Sequence, residues 1–108
     1  MKIKIYLQSD VHNYNASGTY DTVTGNVTIF KGSKIRVRPE HKYKRNQQAE
    51  AYRNDRKIVS NENILLKDII LTSPSTASQF VVDASSDGLN FWKTEKKISL
   101  KKALEGEK

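Results

Sequence analysis

The sequence predicts an α+β fold, a mainly antiparallel sheet with two or three packed helices, formed by 108 residues as a single domain. Three observations carry that expectation. Lys2-Ile-Lys-Ile-Tyr-Leu7 alternates polar and apolar residues with the period of a half-buried strand. Asn26–Phe30 and Lys34–Arg38 are two more alternating runs, with Lys31-Gly32-Ser33 between them as the turn of a hairpin. Further on, Ser73-Pro74-Ser75 opens a stretch in which Ala77, Phe80, Val81 and Ala84 fall on one face of a helix.

Lys2–Leu7 places Ile3 and Ile5 on one face and lysines on the other, an edge-strand pattern. Asp10–Gly25 is rich in Asn, Ser, Thr and Gly and reads as loop and turn, with one short strand near Gly18–Thr22. In the hairpin, Gly32 can supply the positive φ of a tight turn. On its second strand Ile35 and Val37 share one face, while Lys34, Arg36 and Arg38 share the other, about 7 Å apart. Pro39 ends that strand. Lys42–Ile58 reads as a helix of good formers with a thin apolar face of Ala49, Tyr52 and Val59, broken by Ser60–Asn63.

Ile64–Leu71 holds two apolar runs around Lys67-Asp68 and reads as strand, turn, strand, or as one bulged strand. Ser73 is then the N-cap of the next helix, with Pro74 at a position where its missing N–H does no harm. Ser85–Gly88 closes that helix in a turn, Phe91–Thr94 reads as a short strand, and Ser99 caps a last helix. Phe80, Val81, Ile70 and Leu66 are the expected core residues.

Composition excludes several classes of function. With no cysteine there is neither a disulfide nor a thiolate metal site, which fits a reducing compartment. No apolar run approaches the length of a membrane span, and the N-terminus has no signal-peptide pattern, so a soluble, cytoplasmic protein without a membrane partner is expected.

The net charge of +7 is unevenly placed. Residues 31–57 hold ten basic residues, Lys31, Lys34, Arg36, Arg38, Lys42, Lys44, Arg45, Arg53, Arg56 and Lys57, against three acids, so the other 81 residues are neutral on balance. Such segregation is the footprint of a polyanion-binding surface, or else a solvated face that keeps the protein dissolved.

Catalytic patterns are missing. His12 and His41 share no metal-ligand spacing with another His, Asp or Glu, the acids are scattered singly, and no nucleophile elbow, phosphate loop or dinucleotide fingerprint is present. No cofactor, metal site or catalytic residue is therefore expected.

Leu65–Ser78 with its Ser73-Pro74-Ser75, then Asp87-Gly88, then Trp92-Lys93, resembles a bacterial and archaeal domain of unknown function, family 4357. Phe30-Lys31-Gly32-Ser33 is similar to that family's opening strand and turn, and Ala16 and Gly18 match its earlier small residues, so the resemblance spans about residues 14–104. The family occurs at the C-terminus of GIY-YIG nucleases and in restriction-modification proteins, and it is similar to the RAMA domain. Three positions depart from its pattern: Asp83 stands for a usual Gly, Asp87 for the Asn of an N-G turn, and Leu89 for a frequent Trp. The resemblance implies an accessory module beside a nuclease or methyltransferase that recognises DNA, without nuclease activity of its own.

The resulting expectation is a non-catalytic DNA-binding module. Lys31, Lys34, Arg36, Arg38, Lys42, Lys44 and Arg45 are its main phosphate contacts, and Arg53, Arg56 and Lys57 extend the patch. Trp92 is either a core residue or a stacking platform for a base, with Lys93 beside it. The alternatives are a protein-interaction module that tethers a nuclease or methyltransferase subunit, and an RNA-cleaving enzyme that uses His41 or His12.

Overall fold

In the computed structural model, residues 1–36, 47–84 and 87–106 are described. A four-stranded antiparallel sheet runs in chain order through β1 (Lys2–Ser9), β2 (Tyr14–Asp21), β3 (Val27–Ile29) and β4 (Ile69–Leu71). The helices are α1 (Gln47–Arg53), α2 (Pro74–Val82), α3 (Gly88–Phe91) and α4 (Leu100–Leu104). The predicted α+β class is therefore observed.

The core lies between the sheet and α2. Ile5, Val27, Ile29 and Leu71 of the strands meet Ala77, Phe80 and Val81 of the helix, all fully buried. Burying one such large side chain contributes about 1.5–3 kcal/mol. The α2 face is the predicted one as far as Val81, but the helix ends at Val82, so Ala84 packs only partly against the core.

Several elements differ from expectation. Tyr14–Asp21 is a full strand paired along all of β1, from Ser9↔Tyr14 to Lys2↔Asp21, where the composition indicated mostly loop. Its inward positions are Tyr14, Ala16 and Gly18, a pattern too poor in β-branched residues to read as a strand. Gly18 is required there, because a Cβ would stand 2.0 Å from the Thr28 carbonyl oxygen of β3.

Among the described residues, the expected hairpin between 26–30 and 34–38 is not seen. β3 pairs instead with β2 on one side and β4 on the other, through Val27↔Leu71 and Ile29↔Ile69. Apolar partners distant in sequence win over the nearer cationic run. Gly32 does take a positive φ of 91°, and Lys34 is left in single bridges to Asn15 and Ile64. Ile35 is buried as expected, whereas Val37 and Arg38 lie outside the described residues.

Of the helix expected at 42–58, the described part is Gln47–Arg53, followed by turns to Ile58; residues 42–46 lie outside the description. Ile64–Leu71 yields one short strand, and its first half makes only isolated bridges. The inward side chains of this run are Leu65, Ile69 and Leu71, so Leu66 and Ile70, expected in the core, are 44% and 53% exposed. Phe91 closes the one-turn helix α3 in place of starting a strand, and only Lys93 bridges to β1. Among the described residues no helix is long and apolar enough to cross a membrane.

Candidate functional site

The residues of the recognised pattern hold one another. Ser73 caps α2 by accepting the Thr76 N–H at 3.1 Å, and Pro74 follows at the start of the helix. The Ser75 hydroxyl accepts the Gly88 N–H at 3.2 Å, and the Trp92 indole N–H donates to the Pro74 carbonyl at 3.1 Å. A Cβ on Gly88 would lie 2.1 Å from the Pro74 carbonyl group, so only glycine lets α3 approach the head of α2 this closely. Asp87 caps α3 by accepting the Leu89 N–H at 3.1 Å.

Trp92 is completely buried at the centre of this clamp. It cannot stack on a base, and its place among the nucleic-acid contacts is withdrawn. Lys93 stays exposed, its ammonium donating to the Asn90 carbonyl at 2.9 Å.

Arg53 also leaves the list of phosphate contacts. Its side chain is 6% exposed and lies 3.9 Å from the Asp83 carboxylate, itself fully buried. The guanidinium stands over the Phe80 ring, 5.5 Å from its centre, and donates to the backbone carbonyls of Arg36 and Phe80. Charge count alone could not separate this inward arginine from its outward neighbours. Asp83 ends α2 with a left-handed φ of 57°, the conformation that glycine, usual at this position in the resembled family, adopts without strain.

The remaining described cations divide. Lys31, Arg56 and Lys57 are exposed, while Arg38, Lys42, Lys44 and Arg45 lie outside the described residues. Lys34 and Arg36 are half-buried and line one pocket of about 240 Å³ together with His12, Asn13 and Asn63. Backbone pairing builds it. Lys34 exchanges hydrogen bonds with Asn15 at 2.8 and 2.9 Å, Ile35 N–H donates to Asn63 at 2.9 Å, and Arg36 N–H donates to Val81 at 2.8 Å.

Asn13 and Asn63 take the left-handed backbone, with φ of 58° and 65°, a conformation asparagine tolerates better than most side chains. The His12 ring lies parallel to that of Tyr14, with centroids 6.5 Å apart. A lysine, an arginine, a histidine and two asparagines thus line one recess, and no described lining residue is acidic. Such a set is suited to an anion with several oxygen acceptors. The sequence reading named Lys34 and Arg36 as phosphate contacts, gave His12 to the RNA-cleaving alternative alone and did not name Asn13 or Asn63, because their proximity depends on pairings between segments distant in sequence.

Fold and pocket together define a small α+β module with a cationic recess beside its sheet. The family comparison is more specific: the model of the DUF4357 family, a domain of unknown function, matches residues 6–104, and the chain belongs to that family. No curated protein and no solved structure matches the chain significantly.

Proposed function

We propose that this chain is a non-catalytic accessory module that binds duplex DNA by its phosphates, working in the cytoplasm beside a nuclease or methyltransferase subunit. The observation that supports it best is the acid-free recess of Lys34, Arg36, His12, Asn13 and Asn63. It opens the segment that carries the chain's whole net charge, with Lys31, Arg56 and Lys57 exposed in the same segment. The resemblance to domains of GIY-YIG nucleases, restriction-modification proteins and RAMA supplies the setting. Base contacts have no assigned residues in this reading.

The test is a titration of a short duplex at several salt concentrations. Each phosphate contact contributes about −0.9 to the slope of log K against log salt. Lys34→Glu with Arg36→Glu, which leaves the backbone hydrogen bonds in place, should weaken binding and flatten the slope by about 2. The protein should leave DNA and RNA uncut with or without a divalent metal. No binding at about 100 μM near physiological salt, the weak end of non-specific affinity, would reject the reading, and cleavage abolished by His12→Ala or His41→Ala would replace it with the RNA-cleaving one.

A tethering role has one observation of its own: Leu66 and Ile70 expose apolar side chains beside and on the outer strand β4. In that case Ile70→Lys would release a nuclease or methyltransferase subunit while leaving the DNA titration unchanged.

A further inference from the structure

The 81 residues that are neutral by count are not neutral in space. Lys93, Lys96, Lys97, Lys101 and Lys102 lie within ten residues of one another with Glu95 the sole acid among them. Tyr6 and Lys93 exchange backbone hydrogen bonds at 2.7 and 2.9 Å, which pins this lysine-rich stretch across the outer edge of β1. Lys96 thereby lines the same hollow as Lys4 of β1.

Three hollows follow one another along this edge. The largest, about 530 Å³, includes Tyr6, Gln8, Lys93, Glu95 and Lys97. A second of about 320 Å³ shares Gln8 and Lys93 with it and adds Asn90, Phe91 and Tyr14. A third of about 410 Å³ shares Thr94 and Glu95 with the first and reaches Lys4 and Lys96. Shared walls make them one groove, and the eight residues of β1 give it a length of about 26 Å.

We infer that this groove is a site for single-stranded nucleic acid. Phe91 is 39% exposed and Tyr6 half-exposed, so two aromatic rings flank Lys93 at the surface. Rings interleaved with cations match a single strand, because its bases are free to stack on side chains while its phosphates meet lysines. A duplex offers the same phosphates but keeps its bases stacked on one another. Gln8 and Asn90, both exposed, add amide groups to the lining. Glu95 is the opposing charge, and it accepts the Tyr6 hydroxyl at 3.3 Å.

The inference rests on the nucleic-acid reading and adds to it a second face and a second form of ligand. Its test is fluorescence anisotropy with a labelled oligothymidylate of about ten nucleotides, set against a duplex of equal length. Tyr6→Ala with Phe91→Ala should weaken oligothymidylate binding by at least about fivefold and up to about a hundredfold for each ring that stacks on a base. The same change should move duplex affinity by less than about twofold, whereas Lys34→Glu with Arg36→Glu should show the reverse preference.

Should the double aromatic variant fail to fold by circular dichroism, Lys93→Glu with Lys97→Glu tests the groove through exposed side chains. Glu95→Gln should tighten the single strand, which a purely structural Glu95 would not do. Duplex binding without oligothymidylate binding overturns this inference and leaves the proposed function intact. Equal loss of both ligands on the groove substitutions also overturns it. Failure of both ligands with the unsubstituted protein removes both readings.

Discussion

Two stretches of this chain carry the marks of a binding surface in sequence, and they are used in opposite ways. Ser73-Pro74-Ser75, Asp87-Gly88 and Trp92 form the pattern that identifies the family, and their side chains and backbone are spent on one another. Residues 31–57, of which only Lys31-Gly32-Ser33 belongs to that pattern, keep Lys31, Arg56 and Lys57 in solvent and set Lys34 and Arg36 at a recess. The difference teaches that a diagnostic motif can record how a fold closes, while exposed cations gather in a stretch whose order in sequence is mostly unremarked. Arg53 is the exception inside the second stretch, since it belongs to the core.

The largest effects should follow from cutting the closed region. Phe80→Ala and Trp92→Ala each remove a fully buried ring and should cost about 3–5 kcal/mol in chemical denaturation. Gly88→Ala forces a Cβ against the Pro74 carbonyl group and should cost about 1–3 kcal/mol. A loss below about 1 kcal/mol for Trp92→Ala would mean that the clamp is not structural, and the division between the two stretches would fail.

How much of this was legible beforehand depended on the range of the interaction. Caps and turns are local chemistry, so Ser73, Pro74, Ser99 and the positive φ of Gly32 were readable from a few neighbours. The α2 stripe was readable because helix period fixes which side chains share a face. Of β2 only the end near Gly18–Thr22 was, since its inward residues include Ala16 and Gly18, and the need for glycine at 18 is set by Thr28 of another strand. The hairpin error has the same source, for Ile69 and Leu71 arrive from some forty residues away to pair with β3. Leu66 and Ile70 were misplaced because alternation within an apolar run does not say which phase faces inward. The candidate sites were half legible: charge counting found Lys34 and Arg36, but it averaged the lysines at 93–102, already neighbours in sequence, against acids elsewhere in the chain.

Arg53 sharpens the comparison at an intermediate scale. Arg53→Ala leaves the buried Asp83 carboxylate without this cation and should cost about 3–5 kcal/mol, although Arg53 lies in the basic quarter. Its partner separates backbone from charge. Asp83→Ala loses the carboxylate and also puts alanine in the left-handed region, which costs about 1–2 kcal/mol that Asp83→Gly avoids. Glycine should therefore be the milder substitution in a thermal melt. Equal melting temperatures for the two variants would show that the conformation at Asp83 carries no strain.

The smallest effects on stability should come from the cations that face water. Arg56 and Lys57 sit in the turn after α1 with exposed side chains, and the Lys57 backbone N–H, which donates to Asp55 at 2.9 Å, survives any side-chain change. Arg56→Ala and Lys57→Ala should each shift stability by no more than about 0.5 kcal/mol. On duplex DNA the ranking should invert: each truncation that removes a phosphate contact should flatten the salt slope by about 0.9. An Arg53 variant that remains folded should leave that slope alone, because its guanidinium is occupied inside. Stability and salt slope should thus vary in opposite senses across Arg53, Arg56 and Lys57, three residues a charge count treats as equals. A flattened slope for Arg53→Ala, or an early melt for Lys57→Ala, would break the separation of closing residues from contacting ones.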